Sequence, residues 1–170
     1  MVRVVAACLF LGVVAGAAYY VSVPTAQELL PTVSSEGQEQ FVISVDDTPF
    51  TVTLAADAAA RAQGLSGVRY LPEGEGKLFI FEESAPHSFW MKDMYIAIDI
   101  LWFDAAGELV HAVENADPQS YPLSFVPPLP ATYVLEVPAG SADAYSLTEG
   151  SQMEFSEALQ RCLENTCFIK

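Results

Sequence analysis

Alternating apolar and polar residues predict strands in the middle and later parts of the chain. Two alternating runs, QFVISVD and FTVTLA, are separated by a short polar turn and therefore predict a β-hairpin. The run DAAARAQGL follows and predicts one short helix, because Asp57 is a good N-cap residue and Gly64 is a residue that commonly ends a helix.

Further strands are expected beyond this helix. They fall in KLFIF, at residues 87–92, 97–103 and 108–114, and in ATYVLEVP and TEGSQMEF. A turn is expected at DAAGE, a short helix in AGSADAYSL, and an extended, irregular segment in the proline-rich ADPQSYPLSFVPPLP. Short, closely spaced strands with one or two short helices indicate a mainly β (α+β) domain over residues 40–156, barrel-like or a sandwich.

A different pattern occupies the amino end. The run Val4–Val21 has no charged residue and is nearly long enough to cross a membrane as a helix. We therefore expect residues 1–23 to be a transmembrane anchor, with a cleaved secretory signal as the alternative. Because Arg3 keeps the amino end in the cytoplasm, the domain would lie outside it, either anchored or secreted after cleavage. Residues 24–39 are polar and proline-containing, which is typical of a flexible linker.

Charge narrows the classes of partner. The chain has 22 Asp and Glu against 7 Lys and Arg, a formal net charge of -15. Nucleic-acid binding depends on neutralising phosphate with basic side chains, so this composition excludes nucleic acid as a partner. The membrane is expected as a partner only through the N-terminal helix.

The two cysteines near the carboxyl end lie in the segment 157–170, which we expect to be a C-terminal tail. Cys162 and Cys167 have four residues between them, and outside the cytoplasm a local disulfide is the expected state. A reduced pair and a zinc site are the alternatives, but two cysteines without a nearby histidine supply only half of a tetrahedral zinc site. No metal and no cofactor are predicted.

Four ordered motifs carry a family resemblance. They are RAQGLSG, LPEGEGKLFIF, FWMKDMYIAIDILWFDAAGELV and PLPATYVLEVPAG. In this order they resemble the family called domain of unknown function 192, from about Phe41 to Phe155. The resemblance implies a compact, β-rich fold that is often exported or anchored, and it implies no function. The chain departs from the family pattern at Lys77, where Met is usual, at Val68, where a basic residue is usual, and at Asp93, where Asn is usual.

Asp99 is the first candidate for chemistry, because it is a carboxylate on an otherwise apolar strand. A buried carboxylate must find a partner or change its pKa. We expect a structural ion pair with Arg61, with Lys92 as the second choice, or a carboxylate that caps backbone amides. A catalytic acid or base is the functional alternative.

The second candidate is the segment HSFWMKD. Trp90 and Lys92 alternate onto one face and would offer an aromatic platform beside a cation, which suits a sugar or an anionic small molecule. The ligand-binding candidates are therefore Trp90, Lys92, Asp93 and His87. The alternative is a core tryptophan with a lysine side chain lying across it.

Two functions follow from these candidates. The first is an extracytoplasmic, membrane-anchored module that binds a small molecule, a glycan or a protein partner. The alternative is a hydrolase-like acid–base enzyme that uses Asp99, Asp93 or His87. The small number of histidines, the missing nucleophile frame and the absent metal-binding spacing favour the first. The enzyme stays as the alternative, because paired carboxylates leave no local motif.

Overall fold

The computed structural model describes residues 39–164. The predicted anchor, most of the linker and Cys167 lie outside these residues, so the anchor and the disulfide stay predictions. No helix within the described range is both long and apolar enough to span a membrane.

The first three elements are those that the sequence predicts. Strands β1 (Gln40–Val45) and β2 (Thr48–Ala55) form the hairpin, and α1 (Ala58–Gln63) follows. The Asp57 carboxylate accepts a hydrogen bond of 2.8 Å from the Ala60 amide. Gly64 ends the helix with a φ of 50°, a conformation that glycine adopts at little cost. The N-cap and the stop residue therefore set both ends of this short helix.

The remaining elements complete a mainly β domain. They are β3 (Glu75–Ala85), β4 (Phe89–Trp90), β5 (Ile98–Phe103), β6 (Leu109–Ala116), β7 (Ser124–Phe125), β8 (Ala131–Pro138), α2 (Ser141–Ala144), β9 (Met153–Phe155) and α3 (Glu157–Glu164).

Three of the predicted elements need correction. The segment ADPQSYPLSFVPPLP, expected to be irregular throughout, contains a 3-10 helix at Pro118–Ser120 and the strand β7. The strand expected at 87–92 is only β4, because the chain turns at Asp93, where φ is 56°. The segment expected as a tail begins with α3 instead. The amphipathic pattern of α3 buries Leu159 and Cys162 against the core, so the folded domain extends to residue 164.

Seven strands form one mixed sheet in the order β6-β5-β8-β3-β2-β1-β9, and β4 pairs with β7 in a separate ribbon. Only β2 and β3 are parallel among these pairs, and α1 supplies the crossover that a parallel connection requires. The sheet curls into a half-barrel whose edges approach at the bridge pair Glu108–Gln152. Gly107 permits this approach, because a Cβ there would lie 2.7 Å from the Met153 carbonyl oxygen.

The core has a layer on each face of the sheet. The inner layer contains side chains such as Phe50, Leu101 and Leu135, and the outer layer contains Phe79, Ile100 and Trp102. Strand β5 is buried along its whole length as a result. A polar side chain on these central strands must therefore lose its water.

Asp99 lies on β5 among these buried residues and is fully shielded from solvent. Its Oδ1 accepts hydrogen bonds from the Asn115 amide at 2.7 Å and the Gly140 amide at 3.2 Å. Its Oδ2 accepts one from the Ala142 amide at 2.8 Å. The carboxylate thus joins β5 to the end of β6 and to the turn that leads into α2. Amide capping, one of the two structural alternatives for Asp99, is confirmed.

The predicted ion pair between Asp99 and Arg61 is wrong. The Arg61 Nη1 atom donates hydrogen bonds to the backbone carbonyls of Ala56 and Ile80, and its guanidinium lies 5.2 Å from the centre of the Phe81 ring. Phe81 belongs to the outer layer, whereas the residues that flank Asp99 on its own face pack into the inner layer. The sheet itself therefore separates the two charges.

We expect Asp99→Asn to destabilise the domain by about 3 kcal/mol, because it removes a charge that accepts three amide hydrogen bonds and presents an NH2 group to amide donors. Urea unfolding measures this difference. The matched control is Asp143→Asn on the exposed surface of α2, which we expect to be neutral. Equal stability of Asp99→Asn and wild type would contradict the structural role of Asp99.

Candidate functional site

A cleft of about 240 Å³ lies on the outer side of the sheet, where α1 and the residues after it meet β3 and β4. Its apolar walls are mostly aromatic and are formed by Phe79, Phe81, Phe89, Trp90 and Met94. Its polar lining includes Ser66, Ser88, Arg61 and Glu136. Aromatic walls with a few polar groups are typical of small-molecule sites.

The aromatic rings that form the walls contact one another edge to face. The ring centre of Phe89 lies 4.8 Å from that of Phe79, 5.8 Å from that of Trp102 and 6.4 Å from that of Phe81. Each contact is of the T-shaped kind that aromatic quadrupoles favour. Trp102 is itself fully buried, and its indole N–H donates to the His87 carbonyl at 2.9 Å. The cleft is therefore preformed on a packed support.

Glu136 is the most unusual residue of the lining. It lies on β8, is only 5 % exposed, and its Oε2 atom has no hydrogen-bond partner among the described residues. Burial raises the pKa of its carboxyl group to about 8, and the charge of Lys77 opposes that rise. Glu136 is therefore mostly protonated at neutral pH.

Lys77 is the neighbour of Glu136 across the antiparallel β3–β8 pair. It is 6 % exposed, and burial lowers the pKa of its ammonium group although Glu136 acts in the opposite direction. Burial thus favours the neutral form of both side chains, while their mutual attraction favours the charged forms. Such opposed pKa shifts in adjacent groups are characteristic of functional sites.

The structure brings Trp90 to the cleft but not Lys92. The Trp90 side chain is 56 % exposed at the rim, with its ring centre 6.3 Å from that of Tyr121. Lys92 is exposed and is not among the lining residues, and its carbonyl accepts a hydrogen bond from the Ser66 hydroxyl at 3.0 Å. The cation beside the aromatic surface is Arg61, so the expected Trp90–Lys92 face is not the arrangement found.

Asp93 and His87 also lie outside the lining. Asp93 is exposed and has the left-handed backbone conformation that Asp and Asn adopt more easily than other non-glycine residues, and its carbonyl accepts from the Gly67 amide at 2.9 Å. The His87 Nε2 atom donates to the Glu83 carbonyl at 2.9 Å, and the ring stacks on Phe81 at 3.5 Å. Both residues therefore make local structural contacts.

Glu136 and Lys77 are site residues that were not predicted from the sequence. The signal for Glu136 is the one that singled out Asp99, an acidic residue within an apolar strand, VLEVP. Lys77 likewise begins the apolar run KLFIF. The sequence does not distinguish Asp99 from Glu136, because the partners of both come from other parts of the chain.

The fold and the cleft define a small β-rich domain with a preformed aromatic site. The profile of domain-of-unknown-function family 192, described as an uncharacterized ACR, matches residues 41–155. The chain belongs to this family, as the sequence motifs indicate.

Two solved structures are similar to the chain. One is a candidate transcription regulator from Sinorhizobium meliloti 1021, with 30 % identity and a TM-score of 0.66 over 69 % of this chain and 95 % of that one. The other is a protein of unknown function from Novosphingobium aromaticivorans DSM 12444, with 24 % identity and a TM-score of 0.66 over 78 % and 99 % of the two chains. A comparison with curated protein sequences finds no significant match.

We expect the stability of wild type relative to Glu136→Gln to fall as pH rises. The folded protein holds the Glu136 proton up to a pKa of about 8, whereas the unfolded chain releases it near 4.5. The native state therefore loses stability progressively between these two values. Gln cannot ionise, so the free energy of unfolding of the variant should increase relative to that of wild type by roughly 2–4 kcal/mol between about pH 5 and pH 9.

Chemical denaturation at several pH values measures this change. Glu114→Gln, an exposed carboxylate on β6, is the matched control and should follow wild type throughout. A difference between Glu136→Gln and wild type that stays constant with pH would show that Glu136 titrates normally in the folded state.

Proposed function

We propose that this domain is a small-molecule binding module and that the ligand occupies the cleft between α1, β3 and β4. One observation carries the proposal: Glu136 lines the cleft, and one of its carboxyl oxygens, Oε2, is buried without a hydrogen-bond partner in the described part of the chain. Buried polar atoms are nearly always satisfied in folded proteins. A ligand that pairs with Glu136 supplies the missing partner.

The apolar walls support the same proposal. They provide aromatic surface on several sides, and their mutual contacts keep the cleft open without a ligand. Trp90 stands at the rim with about half of its side chain in solvent, so a ligand can cover it. Burial of that exposed aromatic surface favours binding.

The acid–base alternative finds less support. Its three proposed groups would have to meet in one cleft. The Asp99 carboxylate already accepts hydrogen bonds from three backbone amides. Asp93 and His87 are not among the residues that line the cleft, and the His87 side chain contacts strand β3. The binding module is the function that this geometry favours.

The acidic composition bears on one structural relative. The Sinorhizobium protein is described as a candidate transcription regulator. Direct DNA binding by this chain is disfavoured by its formal net charge of -15, because phosphate contacts require Lys and Arg. A small-molecule ligand has no such requirement.

We expect Trp90→Ala to weaken ligand binding about tenfold, because it removes one aromatic wall of the cleft. The experiment screens single-ring fragments by ligand-observed NMR and titrates those that bind. Tyr95→Ala is the matched control, since Tyr95 is an equally exposed aromatic residue that packs on Arg69 and does not line the cleft. Fragment affinities that are identical in wild type and Trp90→Ala would refute the proposed site.

A further inference from the structure

We propose that the cleft binds small organic carboxylates with an aromatic body, and that Arg61 and Glu136 together hold the carboxylate group. This inference rests on the proposed function and names the class of ligand.

Arg61 supplies the first half of the recognition. Its Nη1 atom is fixed by two backbone carbonyls and its guanidinium is placed over Phe81, so the side chain is held in position at the cleft. Among residues 39–164 it forms no salt bridge, and Nη1 is the only atom of its side chain with a hydrogen bond to these residues. The remaining N–H groups of a planar guanidinium match the two oxygens of a carboxylate.

Glu136 supplies the second half because it carries a proton at neutral pH. Burial raises its pKa to about 8, so its carboxyl group can donate an O–H hydrogen bond to an anionic oxygen. In its ionised form the same group would repel a carboxylate. Protonation therefore changes Glu136 from a group that repels a carboxylate into a hydrogen-bond donor.

The charges around Glu136 favour an anion. Lys77 faces it from β3, Arg61 lines the same cleft from α1, and its register partner on β5 is the apolar Ile100. Arg61 and Glu136 are the only charged residues among those that line the cleft. The site is thus locally positive in a strongly acidic chain. Salt screens the distant carboxylates over about 8 Å at physiological ionic strength.

The walls and the size of the cleft define the rest of the ligand. Phe79, Phe89 and Trp90 offer ring faces and edges for an aromatic group. A cleft of about 240 Å³ is smaller than the sites that hold drug-sized molecules. One ring with a short acidic side chain suits this space.

A cationic ligand is the strongest competitor, because aromatic walls also bind ammonium groups. Here Arg61 already lies over Phe81, and Lys77, a second basic side chain, is the cross-strand neighbour of Glu136. An organic cation would have to approach both. The arrangement favours the anion for this reason.

The test compares three ligands that differ mainly in the charged group: phenylacetate, 2-phenylethanol and 2-phenylethylamine. Calorimetric titration of the protein at about pH 6.5 should give the tightest binding for phenylacetate, by tenfold or more over the other two. Phenylacetate affinity should fall as pH rises through about 8, where Glu136 ionises. Phenylacetate itself stays ionised throughout, so the change belongs to the protein.

Two variants and one control assign the effect to residues. Glu136→Gln keeps a donor that cannot ionise, so it should bind phenylacetate and lose the pH dependence. Arg61→Met should reduce phenylacetate affinity at least tenfold while changing 2-phenylethanol affinity little. Glu114→Gln on the exposed face of β6 should behave as wild type. Thermal unfolding of each variant shows that it is folded before titration.

The outcomes separate the two proposals. Preferential binding of the alcohol or the amine would overturn the carboxylate inference and leave the small-molecule function standing. Phenylacetate affinity that is independent of pH in wild type would overturn the role of Glu136, and this result needs no variant. Failure of all three ligands, with no fragment found in the cleft by NMR, would overturn both proposals.

Discussion

The removal of water from both faces of the central strands is the constraint on which this structure depends. Strands β3, β5 and β8 carry apolar layers on their two sides, so a charged group placed on them loses its hydration. Two carboxylates occupy such positions, Asp99 on β5 and Glu136 on β8. Backbone amides satisfy the first completely, whereas one oxygen of the second has no partner within the described residues. Asp99 therefore has a structural role, whereas Glu136 has an oxygen to which we assign the ligand as partner.

The same constraint organises the site. Because water is largely excluded from Glu136, its proton stays bound to a pKa of about 8, and the adjacent Lys77 and Arg61 leave the cleft positive or neutral at physiological pH. The aromatic residues that line the cleft together with Glu136 form the walls that a ligand would contact. Burial thus accounts for the raised pKa of Glu136.

Local patterns were enough to predict much of the fold. Alternation and capping predict the β1–β2 hairpin, α1 and β5, because neighbouring residues determine those elements. The β4 strand is shorter than alternation suggests, since a tight turn at Asp93 interrupts the pattern. Pairing across the sheet is a different matter. The partners of Asp99 are backbone amides without a sequence signature, and the neighbours of Glu136 come from strands far away in the chain. The sequence predicted Trp90 as part of the site, but it did not predict that Arg61 is the basic residue beside it.

The most direct measurement of the central claim is the pKa of Glu136 in the folded protein. Carboxyl carbon-13 labelling of glutamate, with the resonance assigned by its loss in Glu136→Gln, follows the ionisation of this group by NMR. We expect the ionisation of Glu136 to have its midpoint near pH 8, well above the ordinary glutamate pKa of 4.5. A midpoint at the ordinary value would show that Glu136 is ionised and satisfied at neutral pH, and it would contradict the account of the cleft.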